Sequence, residues 1–218
     1  MKQKLRYNTV TPLLKTVLLQ LMAEPLFDSF RLVGGTCLSL QLGHRESVDI
    51  DLFTDAPYNS IDFCEIESYF KNTFQYFDCL QFATVSFGKS YFIGNSKNDC
   101  VKIDLFYTDP FIRSIEMIDT IRFANIEDVI AMKIDVISHY GRKKDFWDIH
   151  ELLNTYTIEQ MLAFHKERYS YTHHRSDIIS NLTAFTFADD DFEPICLKNK
   201  IWELIKLDLF DMKNELLG

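Results

Sequence analysis

The chain has 218 residues, 47% of them hydrophobic and 25% charged, enough to build an ample core in one globular unit or two packed lobes. Its net charge of −9 at neutral pH argues against a broad basic footprint on nucleic acid or on an anionic membrane. Five scattered cysteines, Cys37, Cys64, Cys79, Cys100 and Cys196, have neither paired nor zinc-ligand spacing, which argues against a disulfide framework and suits a reducing cytoplasm.

The first element, "PLLKTVLLQLMAEP", reads as an amphipathic helix with Thr11 as N-cap and Pro12 in the first helical position. Lys15 and Gln20 interrupt it, so it suits neither a signal peptide nor a membrane span. "FRLVG" then predicts a strand, and "TCLSLQLG" a short helix that opens at Gly34-Gly35 and stops at Gly43. "SVDIDLFT" predicts a second strand, "DAPYNS" a turn, and "IDFCEIESYFKNTF" a helix capped by Ser60. "LQFATVSF", "SYFIG" and "CVKIDLFY" read as further strands. Four helices follow, in "NIEDVIAMKIDVISHY", "KKDFWDIHELLNT", "TIEQMLAFHKERY" and "CLKNKIWELIKLDLFDMKNELL". The pattern predicts an α+β fold, with a mixed-sheet lobe over residues 1–110 and a helical lobe over 111–218 packed against it, the boundary falling near Asp109-Pro110.

Chemistry concentrates in the second strand. Alternation along a strand puts Asp49 and Asp51 on one face and Val48, Ile50 and Leu52 toward the core. The two aspartate Cα atoms are then about 6.5–7 Å apart, and carboxylates so close raise one another's pKa unless a cation sits between them. Asp104, between Ile103 and Leu105, is a third acid in a similar apolar strand. Three hard oxygen donors on neighbouring strands suit Mg²⁺. Gly34 and Gly35 let the backbone approach a ligand closely, and the helix N-terminus that follows suits an anion. Thr36 either adds a hydroxyl there or caps the helix. A phosphate cradle beside a metal site describes a nucleoside triphosphate pocket.

The helical half adds charged residues in awkward places. Lys133 falls within the apolar stripe of Ile126, Val129, Ile130, Ile137 and Tyr140, so it either snorkels to water or aims its ammonium at phosphate or at the aspartates. Asp145 and Asp148 share a helix face with Ile149 and Leu152. Asp145 suits a helix N-terminal charge; Asp148 suits a base, a partner for Lys133, or a holder of Arg142. Two basic runs, Arg142-Lys143-Lys144 and His173-His174-Arg175 with nearby Lys166 and Arg168, read as local patches, the second as solvated surface charge.

Together, "GGTCLSL", "RESVDIDLF", "VKIDLF" and "AMKIDVISHYGRKKDFWDIH" resemble the nucleotidyltransferase AbiEii/AbiGii toxin family of the polymerase-beta-like nucleotidyltransferase superfamily, over roughly residues 31–150 and in matching order. The resemblance implies a nucleotidyltransferase-like fold and transfer of a nucleoside monophosphate from an NTP to an acceptor hydroxyl, with pyrophosphate released. It implies Mg²⁺, as two ions, on Asp49 and Asp51, with Asp104 as third acid. It also implies triphosphate contacts from Gly34, Gly35 and Thr36, with Ser47 at the pocket edge. Lys133 would contact phosphates, and Asp148, with Asp145 beside it, would complete the site from the helical lobe. Implied partners are the NTP, an acceptor that is a tRNA, a protein or a small molecule, and a cognate antitoxin. A glycosyltransferase holding its metal with D-x-D, and a nucleotide-binding regulatory module, are the alternative readings.

Overall fold

The computed structural model describes residues 4–79 and 87–217. Its frame is a mixed sheet of seven described strands: β1 (Arg31–Val33), β2 (Asp49–Thr54), β3 (Tyr76–Cys79), β4 (Gly88–Ser96), β5 (Asp99–Tyr107), β6 (Glu116–Ile118) and β7 (Ile121–Phe123). Their order across the sheet is β3-β4-β5-β2-β1-β7-β6. The central pair β2–β5 is parallel, as is β1–β7, and the remaining neighbours are antiparallel. The strand expected over "LQFATVSF" lies, but for Phe87, outside the described residues.

Helix α1 (Pro12–Ala23) starts as its sequence requires, the Thr11 side chain accepting from the Leu14 N–H at 3.1 Å. Helix α2 (Gly34–Leu42) follows β1 directly and stops at Gly43, which takes the left-handed conformation at φ +67°. Helix α3 (Phe63–Thr73) is capped by Asp62, whose carboxylate accepts from Cys64 and Glu65 N–H, and not by Ser60. Both residue types can cap; Asp62 is the one adjacent to the first helical turn. Through Phe70, α3 packs edge-on against Tyr91 of β4, with ring centroids 5.1 Å apart, on the sheet face that buries Ile50, Leu52, Ile103 and Leu105.

The sheet runs on past the expected boundary at residue 110, because the hairpin β6–β7 docks β7 alongside β1. Strands of three residues carry too little alternation to stand out in a sequence. Helices α4 (Ile126–Ser138), α5 (Lys143–Leu152), α6 (Ile158–Arg168), α7 (Arg175–Asn181), α8 (Thr186–Asp189) and α9 (Trp202–Leu217) complete the chain. The last begins six residues later than expected. The stretch before it is extended: Glu46 N–H donates to Ile195 O and Leu197 N–H to His44 O, both at 2.9 Å, with Arg45 and Cys196 bridged.

Arg168, expected at the surface, is buried. Its guanidinium donates to Asp128, Pro110 O, Thr108 Oγ1 and Asp109 O, each at 2.9 Å. Asp128 in turn accepts from the Ile112 and Arg113 N–H groups. This pair fastens α4 and α6 to the loop that leaves β5. Lys166, His174 and Arg175 are exposed, as expected. Among the described residues no helix is long and apolar enough to cross a membrane, and no disulfide joins any of the cysteines.

Candidate active site

The parallel register of β2 and β5 sets Asp51 directly beside Asp104 and Asp49 beside Lys102. The alternating burial of both strands leaves Asp49, Asp51, Lys102 and Asp104 on the partly open face of the sheet. Val48 precedes the strand and is 63% exposed, so it does not join Ile50 and Leu52 in the core: the alternation starts only where pairing with β5 does.

Gly34 has φ +68°, and a Cβ on it would stand 2.3 Å from Asp51 Oδ2. The first glycine therefore clears space for a carboxylate, in a backbone conformation that a side chain would also disfavour. A Cβ on Gly35 would stand 2.5 Å from the Arg45 guanidinium. Burial, together with the neighbouring Asp104 and Asp49, pushes the Asp51 carboxyl up from 3.8 to about 6, against the opposing pull of Lys133 and Lys144.

Asp104 is already engaged. Its Oδ1 accepts from Ser90 Oγ at 2.5 Å and its Oδ2 meets Lys102 Nζ at 2.6 Å. Asp49 is less held: Lys144 Nζ lies 3.9 Å from its Oδ2, and its side chain is 31% exposed. Among the described residues no group of three or more His, Cys, Asp or Glu side chains stands preassembled around a metal position. The donors present are hard carboxylate oxygens. They fit an ion such as Mg²⁺, which keeps several waters and takes one or two carboxylates plus substrate phosphates.

Behind the acids lies a second, buried layer. Asp148 is fully buried and accepts from Arg45 Nε and Nη2 at 2.6 and 2.8 Å, is 2.8 Å from His44 Nε2, and is 2.7 Å from Lys133 Nζ. Burial would raise its pKa, but the Arg45 and Lys133 charges and the His44 and Arg45 hydrogen bonds hold it well below the usual carboxylate range. Lys133 also meets Asp145 Oδ1 at 2.6 Å. Burial lowers the ammonium pKa, and the Asp145 and Asp148 charges more than restore it.

Several sequence expectations change here. Lys133 does not snorkel; it is buried between two carboxylates. Asp148 holds Lys133, as one of its readings had it, and not Arg142, which instead pairs with Asp191 at 3.1–3.2 Å. Asp145 has both oxygens engaged, one by Lys133 and the other by the Arg142 N–H at 3.0 Å. It is buried. Thr36 is neither the α2 cap nor a free hydroxyl. It donates to the Asp49 carbonyl and sits 2.8 Å from Ser47 Oγ, both residues being buried. Ser47 is thus tied under the helix start, where an unpartnered hydroxyl would be costly.

His44, Arg45, Ser90 and Lys102 escaped the sequence reading, and Lys144 entered it only within the basic run Arg142-Lys143-Lys144. The one signal for Arg45 was Asp148 itself: an acid in an apolar helix face demands cations, and Lys133 alone leaves its other lone pairs unfilled.

The profile of the family described as nucleotidyl transferase AbiEii toxin, type IV toxin–antitoxin system, matches residues 16–211. An uncharacterized protein of Aquifex aeolicus is 28% identical over 181 residues, 77% of this chain and 81% of its own length. A putative nucleotidyltransferase of Helicobacter pylori shares the fold with a TM-score of 0.54 and 20% identity, over 92% of each chain. The nucleotidyltransferase toxin MenT4 of Mycobacterium tuberculosis does so with a TM-score of 0.60 and 13% identity, over 93% of this chain and 82% of its own. With the family profile running through both halves of the molecule, the chain belongs to the AbiEii family of nucleotidyltransferase toxins.

Proposed function

We propose that the protein transfers a nucleoside monophosphate from an NTP to an acceptor hydroxyl, with Mg²⁺ and with release of pyrophosphate, as the toxin of a toxin–antitoxin pair in the cytoplasm. The observation that carries the reading is the β2–β5 register, which sets Asp51 beside Asp104 on an open face while Gly34 yields its side-chain space to Asp51.

Asp49 and Asp51 would hold the Mg²⁺ ions, which supply Lewis-acid activation of the acceptor oxygen and charge neutralisation on the leaving group. Asp104, steadied by Ser90 and Lys102, orients the acceptor hydroxyl and takes its proton as the oxygen bonds to the α-phosphorus. The bond from that phosphorus to the bridging oxygen breaks, and the electron pair leaves with pyrophosphate. The first turn of α2, from Gly34 and Gly35, offers backbone N–H groups to the phosphates. The buried layer of Lys133, Asp148, Arg45 and His44 fixes the position of that turn relative to the strands.

The test uses each NTP labelled at the α-phosphorus, a cell lysate, and a comparison of retained label among tRNA, protein and small-molecule fractions. Asp49→Asn should retain its fold, judged by circular dichroism, and lose at least a thousandfold in rate, about 4 kcal/mol of barrier. Normal incorporation by folded Asp49→Asn, or retention of γ-label in place of α-label, would refute the reading.

A further inference from the structure

The lysine that sequence reasoning assigned to phosphate is used up. Lys133 Nζ sits between Asp145 Oδ1 at 2.6 Å and Asp148 Oδ2 at 2.7 Å, and its side chain is nearly buried. Moving it to a ligand would break two buried ion pairs at once and leave Asp145 with the Arg142 N–H and Asp148 with Arg45 and His44, a loss a single phosphate contact does not offset. Another cation stands at the open face. Lys144 Nζ lies 3.9 Å from Asp49 Oδ2, beyond ordinary hydrogen-bond reach, with 35% of its side chain exposed.

Lys144 is held where it is by its neighbours. Lys143 is buried, reaching Asp189 O at 3.4 Å and lying 5.6 Å from the centre of the Trp202 ring. Arg142 pairs with Asp191. These two anchor the start of α5 from behind, so the side chain between them and Asp145 projects toward β2. A cation in the first turn of a helix opposes the helix dipole, and here it brings no close ion pair in return.

We infer that Lys144, not Lys133, is the side chain that meets the polyphosphate of the nucleotide, beside Asp49. The inference rests on the nucleotidyltransferase reading of the acids and adds to it the residue that recognises the triphosphate tail. Lys102 does not compete for the role, since its ammonium is committed to Asp104 at 2.6 Å. The polyphosphate then lies between two fixed features, the turn at Gly34 and the ammonium of Lys144. The acceptor enters from the Asp104 side.

Equilibrium binding of each NTP and of the matching nucleoside monophosphate, in excess Mg²⁺ and without acceptor, tests this directly. Lys144→Met should weaken NTP binding about ten- to a hundredfold, the range for loss of one charge-assisted contact, change monophosphate binding by less than about threefold, and leave the melting temperature unchanged. Lys144→Arg should recover most of the NTP affinity. Lys133→Met should lower the melting temperature. Equal NTP affinity in Lys144→Met and wild type overturns the assignment, as does an equal loss for NTP and monophosphate. If the wild-type protein and Asp49→Asn bind NTP equally well in Mg²⁺, the fault lies with the metal reading of the acids and not with Lys144, because a phosphate contact through lysine needs no carboxylate.

Discussion

Asp51→Asn separates what the acids do for the fold from what they do for chemistry. The Asp51 carboxyl titrates at about 6 where an ordinary aspartate titrates at 3.8. Its folded pKa lies above its unfolded one, so the folded protein binds a proton more tightly. Stability is then greatest below the unfolded value and declines as pH rises toward 6. The rise from 3.8 to about 6 corresponds to about 3 kcal/mol of cost at neutral pH in metal-free protein. Asparagine carries no charge and escapes it. Since the side chain is only partly buried and water screens some of this cost, 3 kcal/mol is an upper bound. A realised gain of 1–2 kcal/mol would raise the melting temperature by about 2–8 °C in a chain of this size. The assay is thermal unfolding of both proteins in EDTA, from about pH 4.5 to 8. The two curves should draw together at the acid end, separate progressively as pH rises toward about 6 and run parallel above it, with the variant more stable, while its transfer activity is lost. An Asp51→Asn protein no more stable than wild type at pH 8, or one whose advantage is largest in acid, would refute the electrostatic account of the site.

Asp148 should behave in the opposite sense. Asp148→Asn leaves Arg45 and Lys133 with too few carboxylates in the interior, and a loss of about 3–5 kcal/mol in urea unfolding is expected; a change below about 1 kcal/mol would contradict the network. Because the Asp148 pKa is depressed, the wild-type stability it provides is present above pH 4 and fades only in stronger acid. Gly34→Ala places a methyl 2.3 Å from Asp51 Oδ2 at a left-handed backbone position. It should cost roughly 1–3 kcal/mol and displace Asp51, so kcat in the transfer assay should fall even in folded protein, and an unaltered kcat would speak against close packing of glycine on the acid.

The parts of this site that could be read from sequence are those whose partners lie a strand or a helix turn apart. Asp49 and Asp51 announce themselves by alternation, Asp104 by its apolar neighbours, and Lys133 by its place in a buried stripe. The layer behind them closes over about a hundred residues of chain, from His44 and Arg45 to Asp148, and no periodicity encodes such a closure. The same limit explains the mistaken cap at Ser60, where Asp62 competes with equal chemistry two residues on, and the hairpin β6–β7, whose three-residue strands are defined by docking beside β1. Lys144 was visible as part of a basic run. What singles it out is that its two predecessors are engaged elsewhere, a fact of tertiary packing.

The clasp between residues 195–197 and 44–46 has a consequence for how the molecule comes to exist. Arg45 is oriented by Asp148 on one side and backed by this late-made stretch on the other. During synthesis, then, the acids of β2 leave the ribosome long before the brace that sets their neighbourhood. A chain lacking residues 195–197 would still carry Asp49, Asp51 and Asp104 on paired strands, yet Arg45 behind them would lose the backbone pairing that backs it.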